Sequence, residues 1–160
     1  MSSTPTDNRY ATAERFTTMR GIVAAARRNT TREVWNYLAC GTGDEVTLRA
    51  NTADFDSLLW NTPLFAGISN PDTSIEFLGH KLSFPAFIAP FGGGEYLLHP
   101  DGHLATARAA REVGIRQIVP VAAAHTLEEI ATTGGVAQMF QITFAGDVGA
   151  VVEMMHRARA

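Results

Sequence analysis

The sequence predicts an α/β fold with a parallel sheet, and the second half of the chain supplies the observations. Three apolar runs, Phe84 to Pro90, Ile115 to Val121 and Val136 to Phe144, are continuous enough to be strands buried on both faces. Each is followed by a segment with helical spacing of its apolar residues. Strands alternating with helices in this rhythm lie parallel, because each helix returns the chain to the same end of the sheet.

The elements before the first strand are helical and then extended. Phe16, Met19, Ile22 and Val23 recur at helical spacing over residues 16 to 27. Thr30 and Glu33 have capping-box spacing for a second helix over residues 31 to 39, which carries Val34, Trp35 and Leu38 and stops at Gly41. Thr42 and Glu45 repeat that spacing, so a third helix is expected over residues 43 to 54. Ile75 to Leu78, Gly79-His80, and Lys81 to Ser83 read as a small hairpin or a pair of extended pieces.

The later helices carry their own punctuation. Residues 101 to 113 are rich in Ala and Leu and end at Gly114. Thr126 and Glu129 cap a helix over residues 126 to 133 that ends before Gly134-Gly135. Asp147 opens a helix that runs to the end of the chain, with Val148, Val151, Val152, Met154 and Met155 expected inward. The chain divides into a flexible tail (1–15), helices and an extended segment (16–83), and three β/α units (84–160).

Composition narrows the function classes. Hydrophobic residues make up 46% and charged residues 18% of the 160, which places the chain among folded rather than disordered proteins. The net charge of -3 and the absence of a Lys/Arg-rich run argue against nucleic acid as a partner. No stretch reaches the apolar length of a membrane span and residues 1 to 12 lack the apolar centre of a signal peptide, so the cytoplasm is the expected compartment. Cys40 is the only cysteine, which leaves no internal disulfide and predicts a small buried side chain. His99 and His103 flank Asp101, but Pro100 and Gly102 break the helix that would align them, so no metal site is expected.

Three β/α units fit either a doubly wound sheet or part of a (β/α)8 barrel, which needs eight units and typically about 250 residues. The last helix shows no stop signal at Arg157-Ala-Arg-Ala160, and this favours a longer whole. In both architectures the C-terminal ends of the strands carry the chemistry. Those ends are Pro90 to Gly94, Pro120 to Ala124 and Thr143 to Gly146. Glycines after the first strand let backbone amides approach a flat ligand without an intervening side chain; the structural alternative is a ligand-free turn. Gln141 is an amide on an otherwise apolar strand, where burial would demand a partner. Glu95 follows the glycines on the same face and is retained as a site candidate, against a solvated loop charge. His125, just before Thr126, reads as a loop or capping residue, and His80 and His156 as surface residues.

A resemblance decides between the architectures. Tyr37-Leu-Ala-Cys-Gly41, Asp44-Glu45, Thr47-Leu48, Asn51 and Phe55 resemble the N-terminal signature of the FMN-dependent 2-hydroxy-acid oxidase and dehydrogenase family. Asp72-Thr73-Ser74, Leu78-Gly79, Ile88-Ala89-Pro90, His99-Pro-Asp-Gly102, Ala105-Thr-Ala-Arg-Ala109, Glu128-Glu129-Ile130-Ala131 and Phe140-Gln141 continue it in order, over residues 20 to 160. The resemblance implies an α/β fold of the (β/α)8 TIM-barrel family, with this chain covering N-terminal helices and about the first three units.

The resemblance also implies roles. Pro90, Phe91 and Gly92 would contact FMN near its reactive nitrogen, Pro120 would stand at a further flavin contact, and Gln141 would hydrogen-bond the pyrimidine edge. Tyr37 and Thr143 would be the catalytic-site residues of this half, Tyr37 holding the substrate carboxylate. Several positions depart from the family. Pro120 replaces a serine, Ala122 a tryptophan and Thr143 a tyrosine; the segment Phe91 to Leu98 is one residue longer, and an arginine near Pro63 is missing. The family's histidine base, carboxylate-binding arginine, flavin lysine and phosphate site are expected beyond residue 160, so the chain alone is expected to be inactive.

Three functions follow as expectations. The first is part of an FMN-dependent oxidoreductase acting on a 2-hydroxy acid or related substrate, completed by the C-terminal half of the barrel or a complementary subunit, in a homo- or hetero-oligomer. The second is a non-catalytic half-barrel that binds flavin or another ligand. The third is a structural subunit without cofactor, associating through unpaired strand edges.

Overall fold

The computed structural model describes residues 16–135, 138–143 and 147–159. The tail assigned to residues 1–15 lies outside these, as do Val136, Ala137 and Phe144 of the third apolar run. The chain forms two compact units, Met1–Phe65 and Ala66–Ala160.

The first unit holds three helices: α1 (Met19–Asn29), α2 (Arg32–Ala39) and α3 (Val46–Asp56). Local capping sets where each begins. The Thr18 hydroxyl accepts from the Gly21 N–H at the start of α1. The expected Thr30/Glu33 box is displaced by one residue: Thr31 is the N-cap of α2 and accepts from Val34 N–H. Thr30 closes α1 instead, its hydroxyl donating to the Ala26 carbonyl. The expected Thr42/Glu45 box is also replaced. Glu45 itself takes the N-cap position in a left-handed conformation (φ 55°), and its carboxylate accepts from Gly41 N–H. Arg27 lies over the Trp35 ring at 5.7 Å. Ala25 is the one buried residue among those described in this unit, while Leu59, Trp60, Leu64 and Phe65 are exposed. Cys40 is exposed too, contrary to the expectation of a buried thiol, because it sits just past the end of α2.

The second unit begins with a hairpin, β1 (Ile75–Phe77) against β2 (His80–Leu82), antiparallel with Phe77 opposite His80. Leu78 and Gly79, both at positive φ, make the two-residue turn. Then come β3 (Phe87–Ile88), α4 (Glu95–Leu98), α5 (Gly102–Val113), β4 (Arg116–Pro120), α6 (Leu127–Gly134), β5 (Met139–Gln141) and α7 (Val148–Arg159). The order β3-β4-β5 is parallel throughout, as the sequence predicts. β3 is far shorter than the apolar run suggested, since Pro85 and Pro90 have no N–H to give the ladder.

Alternation along β4 assigns the faces. Gln117 and Val119 point to the helices; Arg116, Ile118 and Pro120 point away. Val119 packs with Ala107 of α5 and Ile130 of α6, and Leu104, Ala123, Leu127 and Phe140 close around them. Small residues at Ala107 and Ala110 let α5 lie close to the sheet. Gln117 is buried among these apolar groups and is hydrogen-bonded. Its side-chain oxygen accepts from Thr106 at 2.6 Å, and its backbone N–H donates to Gln138 at 3.2 Å. The Thr126/Glu129 capping box forms as expected. In α7 the inward face is narrower than predicted. Val151 and Met154 are half-buried, whereas Val148, Val152 and Met155 are exposed.

The N-terminal end of this sheet is tied to the hairpin. Ser83 N–H donates to the Gly114 carbonyl at 2.9 Å, and the Ser83 hydroxyl donates to the Val113 carbonyl. Thr73 donates in turn to the Ser83 carbonyl at 2.9 Å. Gly114 is left-handed (φ 73°), which ends α5 and turns the chain into β4.

Candidate functional site

Parallel strands in register bring their C-terminal ends together, and this is where the candidate residues meet. Pro120, the last residue of β4, pairs in register with Gln141, the last of β5. From β3 the chain passes Pro90 and Phe91 into the glycines Gly92, Gly93 and Gly94, then enters α4. Gly93 N–H donates to the Ala122 carbonyl at 3.1 Å, which fastens the loop to the segment leaving β4. Gly92 faces the same segment: a Cβ there would meet the Cβ of Ala122 at 3.2 Å and that of Pro120 at 3.5 Å. Gly93 has φ +78°, a conformation that favours glycine. Phe91, Gly92, Pro120 and Gln141 thus form one row across three strand ends.

The side chains on this row differ in exposure. Pro120 is buried and Gln141 is exposed. The role of a buried amide satisfied within the fold belongs to Gln117, so Gln141 is not needed for packing. Thr143, two residues on, is exposed, as is Ala122. Phe144 to Gly146, the rest of that strand end, lie outside the described residues. Tyr37 belongs to α2 of the first unit, where it is exposed.

Beneath the glycine loop lies a buried ionisable pair. Glu95, the first residue of α4, places Oε2 2.7 Å from Nδ1 of His103 on α5. The His103 side chain is 2% exposed and that of Glu95 11%. Burial pushes the Glu95 carboxyl up to about 7. Burial also lowers His103, aided by the charge of His125, while a hydrogen bond with the Phe91 backbone opposes the shift. Gly102, at a left-handed φ of +41°, opens α5 beside the pair, and a Cβ on it would be in ordinary contact with His125 Cε1 at 3.6 Å and Glu95 Cβ at 3.7 Å. Glu95 is therefore not the solvated loop charge that was its structural alternative. The sequence offers His103 only as a dismissed metal partner of His99, because its actual partner, Glu95, lies eight residues upstream across a turn.

The row suits a flat, electron-poor ring. A loop with three glycines presents backbone rather than side chains, and an exposed amide stands at its far end. These residues fit one side of a flavin; among those described, none forms a cation-rich phosphate cradle.

Known proteins are similar to this chain in sequence and fold. Residues 26–160 match the family described as FMN-dependent dehydrogenase. Glycolate oxidase 1 of Oryza sativa subsp. indica is 34% identical over 135 residues, covering 84% of this chain and 36% of its own length. The 4-hydroxymandelate oxidase of Amycolatopsis orientalis is 29% identical over 143 residues, with 89% and 40% covered. A crystal structure of mandelate oxidase aligns with a TM-score of 0.83 at 29% identity, over 90% of this chain and 41% of that one. Another, of a mandelate oxidase variant with a C4a-OH-FMN adduct, aligns with a TM-score of 0.78 at 29% identity, over 86% and 42%. The parallel β3-β4-β5 sheet is thus a partial α/β barrel of the TIM type, and the chain spans well under half the length of these relatives.

Proposed function

This chain belongs to the FMN-dependent dehydrogenase family, and from that premise we propose that it forms one wall of an FMN pocket in an oxidoreductase acting on 2-hydroxy acids. The observation that carries the reading is the row of Phe91, Gly92, Pro120 and Gln141 across the strand ends. When bound, the flavin accepts the two electrons released as the hydroxyl-bearing carbon is oxidised to a carbonyl.

The chain's own residues prepare that chemistry. The Phe91-Gly92 backbone, following Pro90, lies against the ring. Pro120 supplies an apolar contact without a donor, and the Gln141 amide hydrogen-bonds the pyrimidine edge. By resemblance to the family, Thr143 would contact the substrate, and Tyr37, on the first unit, would donate its phenolic hydrogen to a substrate carboxylate. Thr143 leaves more room than an aromatic side chain, which fits a bulkier 2-hydroxy acid. The remaining units come from further residues of the same chain or from a complementary subunit, and the assembled enzyme is an oligomer of the cytoplasm. No helix among the described residues is long and apolar enough to cross a membrane.

The absorption spectrum and intact mass of the protein, purified with whatever accompanies it, test this reading. A flavin band that bleaches on adding a 2-hydroxy acid is the expected result. A colourless protein that takes up no FMN overturns it. A flavin band that no 2-hydroxy acid bleaches would favour the non-catalytic binding reading, which the replacement of a serine and a tyrosine position by Pro120 and Thr143 motivates.

A further inference from the structure

The Glu95–His103 pair lies on neither the ring-facing row nor the core, yet it touches the loop that forms the row. His103 is almost wholly buried on α5, and its Nδ1 sits 2.7 Å from Oε2 of Glu95, which ends that loop. The loop is therefore held by Gly93 on Ala122 and, at its α4 end, by Glu95 against His103. We propose that His103 and Glu95 are a positioning pair which, through one shared proton, sets the backbone of Phe91 to Gly94 and so the surface offered to a bound flavin. The inference rests on the flavin reading above.

The physical argument is one of proton count. Burial disfavours both charges, so the pair is held as a carboxylic acid and a neutral imidazole. With the proton on Glu95, no net charge is buried across the 2.7 Å separation of Oε2 and Nδ1. Removing that proton leaves a carboxylate in a site that shields it poorly from its own desolvation. The groups facing His103 are Glu95 from α4 and His125 from the segment before α6. Asp101 on the same helix start is turned to Arg108, and the β4 residue beneath is the uncharged Gln117. The carboxyl is held at about 7, so the proton leaves near neutrality and the tether at the Glu95 end weakens as pH rises.

Amide and imidazole NMR of the full-length protein, freed of flavin, tests the pair directly. The Phe91 and Gly92 amides and the His103 ring are expected to shift with one common midpoint near neutral pH, and Glu95→Gln is expected to abolish it. Amides that do not follow the ring overturn the proposal even if no variant folds. In the flavin-loaded protein, Glu95→Gln and His103→Gln should weaken FMN binding about tenfold, or about 1.4 kcal/mol, and flatten its decline above neutral pH. Unchanged affinity and pH profile in folded variants overturn the pair's role while leaving the flavin reading intact. A wild-type protein that binds no FMN overturns that reading instead, and the apo titration still decides the pair.

Discussion

Gly92 lies close against Ala122: a Cβ on Gly92 would lie 3.2 Å from that of Ala122, tighter than ordinary van der Waals contact. Gly92→Ala should therefore strain the loop by about 1–3 kcal/mol, the usual cost of overpacking. Ala122→Gly in the same chain should restore much of the loss, because it removes the methyl that collides. Urea denaturation of both single variants and the double variant measures the coupling, which simple additivity would contradict.

Gln141 separates stability from binding. It is exposed at the end of β5, so Gln141→Leu should change folding stability by no more than about 0.5 kcal/mol. The same substitution should weaken FMN binding, since it removes the amide assigned to the pyrimidine edge. Thermal melts of the flavin-free protein alongside a fluorescence titration with FMN would reveal the split. Equal affinity in the variant would remove Gln141 from the site.

Glu95 gives stability a defined pH dependence. Its folded value of about 7 lies above the ordinary 4.5, so the folded state binds the proton more tightly than the unfolded chain. Its contribution is full below 4.5 and is lost as pH rises through about 7. His103 acts oppositely: its value is lowered from 6.5, so stability falls as pH drops below 6.5. The difference in denaturation midpoint between wild type and Glu95→Gln should thus move against the wild type from pH 5 to 8. A constant difference across that range would contradict the assignment.

Thr126→Ala should cost about 1 kcal/mol, since it removes the N-cap of α6 and leaves the Glu129 N–H without its acceptor. The hydrogen bonds from Thr126 hold Glu129 below its ordinary value, so this contribution is present above pH 4.5 and is lost on further acidification. The variant keeps the backbone hydrogen bond to Glu129 and loses only the hydroxyl's, so its deficit should narrow in acid without vanishing, the cap on Glu129 N–H being independent of that carboxylate; denaturation midpoints at neutral and acidic pH would report it.

What the sequence revealed follows how local each cause is. The Thr126/Glu129 box and the Gly114 stop depend on a few adjacent residues, and both stand as read; the hairpin forms with its turn at Leu78-Gly79, one residue before the Gly79-His80 the sequence suggests. The other two boxes failed because competing caps lay one to three residues away, at Thr31 and at Glu45 itself. Face assignments in α7 were read from apolarity alone, yet Val148 and Val152 are exposed. The glycine loop and Gln141 were visible as candidates because residue type marks them. His103 was not, because its meaning comes from a partner on another helix and from the Phe91 backbone, neither of which periodicity encodes.

The bond between Ser83 and Gly114 has a consequence for how this fold tolerates change. It staples the hairpin to the amino ends of the strands, joining residues distant in sequence, while Pro120, Ala122 and Thr143 occupy the carboxyl ends. A strand anchored at its root can have its tip rewritten without losing its place in the sheet. Pro120, Ala122 and Thr143, which the sequence resemblance reads as departures from the family, lie at such tips, where substitution leaves the stapled end of the scaffold whole.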